Sequence, residues 1–129
     1  MNRIVIKTKD APSAVGAYSQ GITANGLIYT AGQIPLDPKT NKLVDGEIET
    51  QIDQIFKNLD AICKSGGSSL GNAVKLTVFL TDLTHAPIVN KLVNKWFDSK
   101  SYPARSMVEV CKLPLNSNVG IECIAIEDE

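Results

Sequence analysis

Apolar and polar positions change period several times along this chain, and each change marks an element. Ile48, Ile52, Ile55, Phe56, Leu59, Ile62 and Cys63 follow helical spacing and give one apolar face. Glu47 and Glu49 open that stretch and Lys64 closes it, the charge order that complements a helix dipole. Gly66-Gly67 then ends it, because glycine readily takes the left-handed conformation that closes a last turn. Cys63 therefore reads as a core residue. Ile88, Val89, Leu92, Val93, Trp96 and Phe97 form a second stripe of the same period, with Thr84 expected as N-cap and Pro87 in the first turn.

Elsewhere the period is two. Residues 3–7 predict a short strand that stops at Asp10-Ala11-Pro12. Residues 19–24 and 27–31 flank Asn25-Gly26, a dipeptide suited to the positive φ angles of a two-residue hairpin turn. Val74, Leu76, Val78 and Leu80 alternate with Lys75, Thr77 and Phe79, which predicts a central strand with one face against helices. From Arg105 the alternation puts Arg105, Met107, Glu109 and Cys111 on one side, and Ser106, Val108, Val110 and Lys112 on the other. After a turn at residues 115–118, Val119 to Ile126 form a last strand. Ile121, Cys123 and Ala125 share one face of it; Gly120, Glu122, Ile124 and Ile126 share the other. The acidic residues 127–129 are expected to fray.

This order predicts an α+β fold, a mixed sheet with two helices on one face. No helix is left for the other face, where Phe79 and Met107 are expected, so a partner subunit is expected to cover it. At 129 residues the length fits a single domain, residues 1–129, with a core that needs no metal or disulfide.

Composition narrows the function classes. A net charge of −1 and the lack of a basic run argue against general nucleic-acid binding. The N-terminus carries no long apolar core and no stretch approaches a membrane span, so a cytoplasmic protein is expected. Cys63, Cys111 and Cys123 are odd in number and widely spaced, which points to reduced thiols rather than a disulfide framework. One histidine, His85, is too few for an ordinary structural zinc site, and it reads as a solvated surface residue. Gly66 to Gly71 has the glycine spacing of a phosphate loop, but Asn72-Ala73 stands where Lys-Ser/Thr is required, so it reads as a connector. No cofactor and no metal is expected.

The leading functional residue is Arg105. It stands at the start of a strand, just after Pro103, where rigid backbone holds a planar fork that can meet a carboxylate or phosphate in bidentate fashion. A surface arginine in an ordinary ion pair is the competing reading. Tyr18 precedes the first hairpin strand and Gly32-Gln33-Ile34-Pro35 follows the second, so both can sit at one end of the sheet, where sites are common.

The run Tyr102 to Val110, with Leu113-Pro114, resembles the signature of the Rid (YjgF-type) family of reactive-intermediate deaminases. Gly16 to Gly21, Thr30 to Pro35, Val74 to Leu80 and Ile121 to Ile126 resemble further family segments in the same order, so the likeness spans nearly the whole chain. It implies a chorismate mutase-like fold and a barrel-like homotrimer with clefts between subunits. It also implies hydrolysis of 2-imino or enamine acids to 2-keto acids and ammonia. Arg105 would bind the substrate carboxylate, Tyr18 and the Met107 carbonyl would orient the substrate, and Asn90 and Gly32 would border the cleft. The chain departs from the family pattern at Gly120, where relatives carry a glutamate implied in handling the water. Glu122 lies two residues further along, roughly 6–7 Å away. A slow deaminase is therefore expected, with a non-catalytic metabolite-binding or regulatory module as the alternative. An RNA-directed activity, attached to some relatives, finds little support in the charge balance.

Overall fold

The computed structural model describes residues 2–128. Its main sheet has six strands in the order β1-β2-β3-β8-β6-β7. These are β1 (Arg3–Ile6), β2 (Gly21–Ala24), β3 (Leu27–Thr30), β6 (Ala73–Leu80), β7 (Ala104–Glu109) and β8 (Val119–Ile126). A small ribbon of β4 (Leu36–Asp37) and β5 (Lys42–Leu43) lies outside it. The two predicted helices are α1 (Ile48–Ser65) and α2 (Ala86–Trp96). Among the described residues no helix is long and apolar enough to cross a membrane.

Local chemistry accounts for the connections. Asn25 and Gly26 have φ of 52° and 79°, the pair of positive angles that a tight β2–β3 hairpin needs. At the end of α1, Gly67 rather than Gly66 takes the left-handed φ, +87°. The pairing of β6 with β7 is parallel, so the chain must cross over between them, and α2 is that crossover.

Both helices cover the same sheet face, as expected. Phe56 is fully buried between them, with ring centroids 6.2 Å from Trp96 and 6.1 Å from Phe97. Beneath lie Ile28, Leu76, Val78, Leu80, Val119, Ile121, Cys123 and Ala125, all buried. Asp53 of α1 clamps α2 from the rim, accepting hydrogen bonds from Trp96 Nε1 at 2.9 Å and Lys95 Nζ at 3.0 Å.

Four expectations are corrected. Val74 is exposed rather than buried, because the β6–β8 ladder slips between Ala73 and Lys75 and turns Ala73 inward instead. Asp82, not Thr84, is the acceptor at the entry to the second helix. Its carboxylate takes the backbone N–H of Thr84 at 2.9 Å and its hydroxyl at 2.7 Å, and caps a 3-10 turn, Leu83–His85, that runs straight into α2. Those bonds, the hydroxyl's first, hold Asp82 below the usual aspartate range. Met107 lies on the helix-covered face, in register with Val78 and packed against the core. The tail is pinned as far as Asp128: Glu127 N–H bonds Gly26 O, Asp128 N–H bonds Gly67 O, both at 2.9 Å. Glu129 lies outside the described residues.

Candidate functional site

β7 is an edge strand, and the parallel register sets Arg105 beside Leu76 and Met107 beside Val78. Side chains in register share a face, so Arg105 rises on the side where α2 crosses. There Asn90 Oδ1 accepts a hydrogen bond from Arg105 Nη1 at 2.7 Å. A guanidinium can only donate, so the amide oxygen must face it, and the Asn90 NH2 group remains as a further donor. Among the described residues Arg105 makes no ion pair, which removes the ordinary surface-pair reading.

One turn on from Asn90, Asn94 accepts a hydrogen bond from the Tyr102 hydroxyl. Two rungs therefore tie the lead into β7 to one face of α2. They flank an open cavity of about 450 Å³ lined by Leu76, Asn90, Val93, Asn94, Tyr102, Pro103 and Arg105. Leu76 and Val93, both buried, supply apolar wall. The arrangement suits a small carboxylate: a charged fork with free N–H donors beside an apolar surface where water competes less well. No carboxylate or imidazole lines it, so within one chain the cavity offers donors to an anion but no side chain suited to act as a general base.

The other candidates lie elsewhere. Tyr18 is half exposed on the loop before β2 and borders a second cavity of about 790 Å³ with Val5, Thr8 and Gln20. Gly32 is exposed, and a Cβ there would meet nothing within 4 Å. Gly120 pairs with Phe79, on the face opposite Leu76, and Glu122 with Thr77 on that same open face. The structure thus brings Arg105, Asn90 and the Met107 strand together. Tyr18, Gly32 and Gly120 are not in that cavity. His85 stands half-buried at the head of α2, away from the cavity. Among the described residues no cluster of His, Cys, Asp or Glu forms a metal-ligand set.

Two features escaped the reading of residues one by one. Asn94 and Tyr102 carried a signal, since Asn94 is i+4 from Asn90 and Tyr102 adjoins Pro103. Gln20 had none beyond its place in the Gly16–Gly21 segment. Its buried amide donates to the carbonyls of Thr8 (3.0 Å), Ala11 (3.2 Å) and Pro12 (2.8 Å) and accepts from Thr8 N (2.7 Å). It thereby fixes the loop leading to Tyr18.

A six-stranded mixed sheet of this order with two helices on one face is an α+β fold found among known proteins. The family model described as Endoribonuclease L-PSP matches residues 8–127, and a Yersinia pestis protein of the Rid family, YyfA, has the same fold, with 44% identity over 97% of this chain and 99% of that one and a TM-score of 0.93. The chain belongs to this Rid (YjgF-type) family. Among curated relatives, the RutC family protein slr0709 of Synechocystis is 43% identical over 98% of both chains. The human 2-iminobutanoate/2-iminopropanoate deaminase is 39% identical over 97% of this chain and 90% of its own.

Proposed function

We propose that this protein hydrolyses small 2-imino or enamine acids to 2-keto acids and ammonia, with the substrate carboxylate held by Arg105 and the Asn90 amide. The observation that carries this reading is the unpaired guanidinium braced by Asn90 beside an apolar wall. Family membership, with deaminases among the relatives, supports the same chemistry. Water adds to the C=N carbon, and the tetrahedral adduct expels ammonia to leave the ketone. Imines react readily with water, so holding the substrate in one orientation is itself a source of rate.

Tyr18, Gly32 and the Met107 carbonyl belong to the same reading as orienting groups. Tyr18 and Gly32 sit away from the Arg105 cavity in one chain, so a second copy must supply them, in keeping with a homotrimer. Gly120 leaves the water without its carboxylate and makes the enzyme slow. That same glycine favours a second reading, a metabolite-binding module that keeps the anion cavity and has lost turnover. The family description names an endoribonuclease, but a net charge of −1 gives an RNA-directed activity little support.

The test feeds 2-iminobutanoate from threonine dehydratase to the protein and follows ammonia and 2-oxobutanoate. Wild type is expected to accelerate hydrolysis, and Arg105→Ala to lose about 10–100-fold in kcat/KM, the range for a charged hydrogen-bonding group. Wild type at the background rate, with 2-oxobutanoate still binding in calorimetry through Arg105, would establish the binding module instead. Binding unchanged in Arg105→Ala would remove Arg105 from the site.

A further inference from the structure

The spacing of the cysteines gave no sign of pairing, yet the fold brings two of the three into contact. Cys63, in the last turn of α1, and Cys123, in the middle of β8, are separated by 60 positions and lie with their sulfurs 3.9 Å apart. Both are buried, while Cys111 is exposed beyond the end of β7. We propose that Cys63 and Cys123 are an oxidation site, a thiol pair that a small hydroperoxide converts to an intramolecular disulfide joining α1 to β8. The inference is independent of the function assigned to the Arg105 cavity.

Several features set this pair apart from two small residues that merely fill space. The sulfurs are already at contact distance, so a bond of about 2.05 Å asks each of them to move by only about 1 Å. The two thiols are also inequivalent. The hydrogen bond between them, with burial, pushes the Cys63 thiol up, whereas at Cys123 the same bond, helped by the Thr30 hydroxyl, outweighs burial and holds its thiol below the ordinary value. Cys123 is thus the more readily deprotonated of the two, and Cys63 the one that holds its proton. Both sulfurs are buried, so a transient opening at the end of α1 must admit the peroxide. Cys63 is two residues from the helix terminus at Ser65, and a last turn opens at far lower cost than a helix interior.

The chemistry balances with a peroxide as oxidant. The Cys123 thiolate attacks one peroxide oxygen; the O–O bond breaks, and with a proton the other oxygen leaves as water, giving a sulfenic acid. The Cys63 sulfur then attacks the Cys123 sulfur, the S–O bond breaks, and a second water leaves with the Cys63 proton. Two thiols are oxidised and one peroxide is reduced. The resulting bridge closes a loop of about sixty residues, which by chain-entropy reasoning lowers the unfolding equilibrium constant by about 10³-fold.

The test uses full-length Cys111→Ser protein, which lacks the exposed competing thiol. Native protein is exposed to hydrogen peroxide and examined by intact mass, non-reducing peptide mapping and urea denaturation. The expected result is loss of two hydrogens per chain, a peptide pair joined through Cys63 and Cys123, a raised urea midpoint, and reversal of all three by dithiothreitol. Cys63→Ser should instead accumulate an added oxygen at Cys123 with no cross-link. Thiols that stay reduced in the native state, oxygen added to each sulfur separately in the Cys111→Ser protein, or a bridge formed only after urea is added would each overturn the proposal. Because the Cys111→Ser arm keeps both buried thiols, it decides the matter even if Cys63→Ser folds poorly.

Discussion

Gly120 sits where β8 begins, buried, and in register with Phe79 on the open face. A Cβ there would meet Leu113 at 3.6 Å and the Gln33 carbonyl at 3.7 Å, which is ordinary contact. Gly120→Glu should therefore fold, and a strand interior gains from losing a glycine. The family resemblance implied a carboxylate at this position that handles the water, in clefts between subunits. Within one chain Gly120 and Arg105 lie on opposite faces with β6 between their strands, so in the proposed reading a glutamate at 120 serves the cavity of a neighbouring copy. Gly120→Glu is expected to raise 2-iminobutanoate hydrolysis by about 100-fold, the lower end of what a positioned general base contributes. A rate equal to wild type in the coupled assay would show that position 120 does not limit turnover.

At the scale of elements, the placing of α2 decides the site, because α2 carries Asn90 and Asn94. Its seat on α1 depends on Asp53, whose carboxylate holds Trp96 and Lys95 and lies 3.4 Å from Lys57. Burial pushes the Asp53 carboxyl up, but the Trp96 and Lys95 hydrogen bonds and the lysine charges outweigh it, so its folded pKa lies below the ordinary 3.8. A depressed folded pKa stabilises above the unfolded value and is lost as pH falls through the folded one. Asp53→Ala should cost about 2 kcal/mol near neutrality, since it leaves the Trp96 N–H without its acceptor. Urea titrations at neutral pH and below pH ~3.8 should show the gap to wild type narrowing on acidification. A gap that stays constant would mean that the charge of Asp53 contributes nothing.

For the whole molecule, the open face of the sheet is the feature to explain. Val5, Tyr29, Val108 and Ile126 are each about half exposed on it, and both helices are committed to the other side. A monomer leaving this face in water should self-associate, and a homotrimer that turns the open faces inward is the expected assembly. Sedimentation at micromolar concentration should give a species larger than a monomer, and Val108→Asp should weaken it. A well-folded monomer in both proteins would contradict the assembly and the sharing of Tyr18 and Gly32 between copies.

The elements themselves were legible in the chain. Helical and alternating periods depend on near neighbours, so α1, α2, the Asn25-Gly26 hairpin, β6, β7 and β8 could be read from local spacing, and Arg105 with Pro103 from composition at a strand start. Which face each side chain met was another matter. Val74 and Met107 were misplaced because a slipped ladder and a parallel register are set by partner strands far away in sequence, and a one-residue shift reverses every face. The same reason hid the Asp53 clamp, the Asn94–Tyr102 rung and the Cys63–Cys123 contact. Each joins residues whose meeting depends on how α1 and α2 lie on the sheet. Local sequence determined the strands, the helices and the place of Arg105 at a strand start; packing alone decided what those elements brought together.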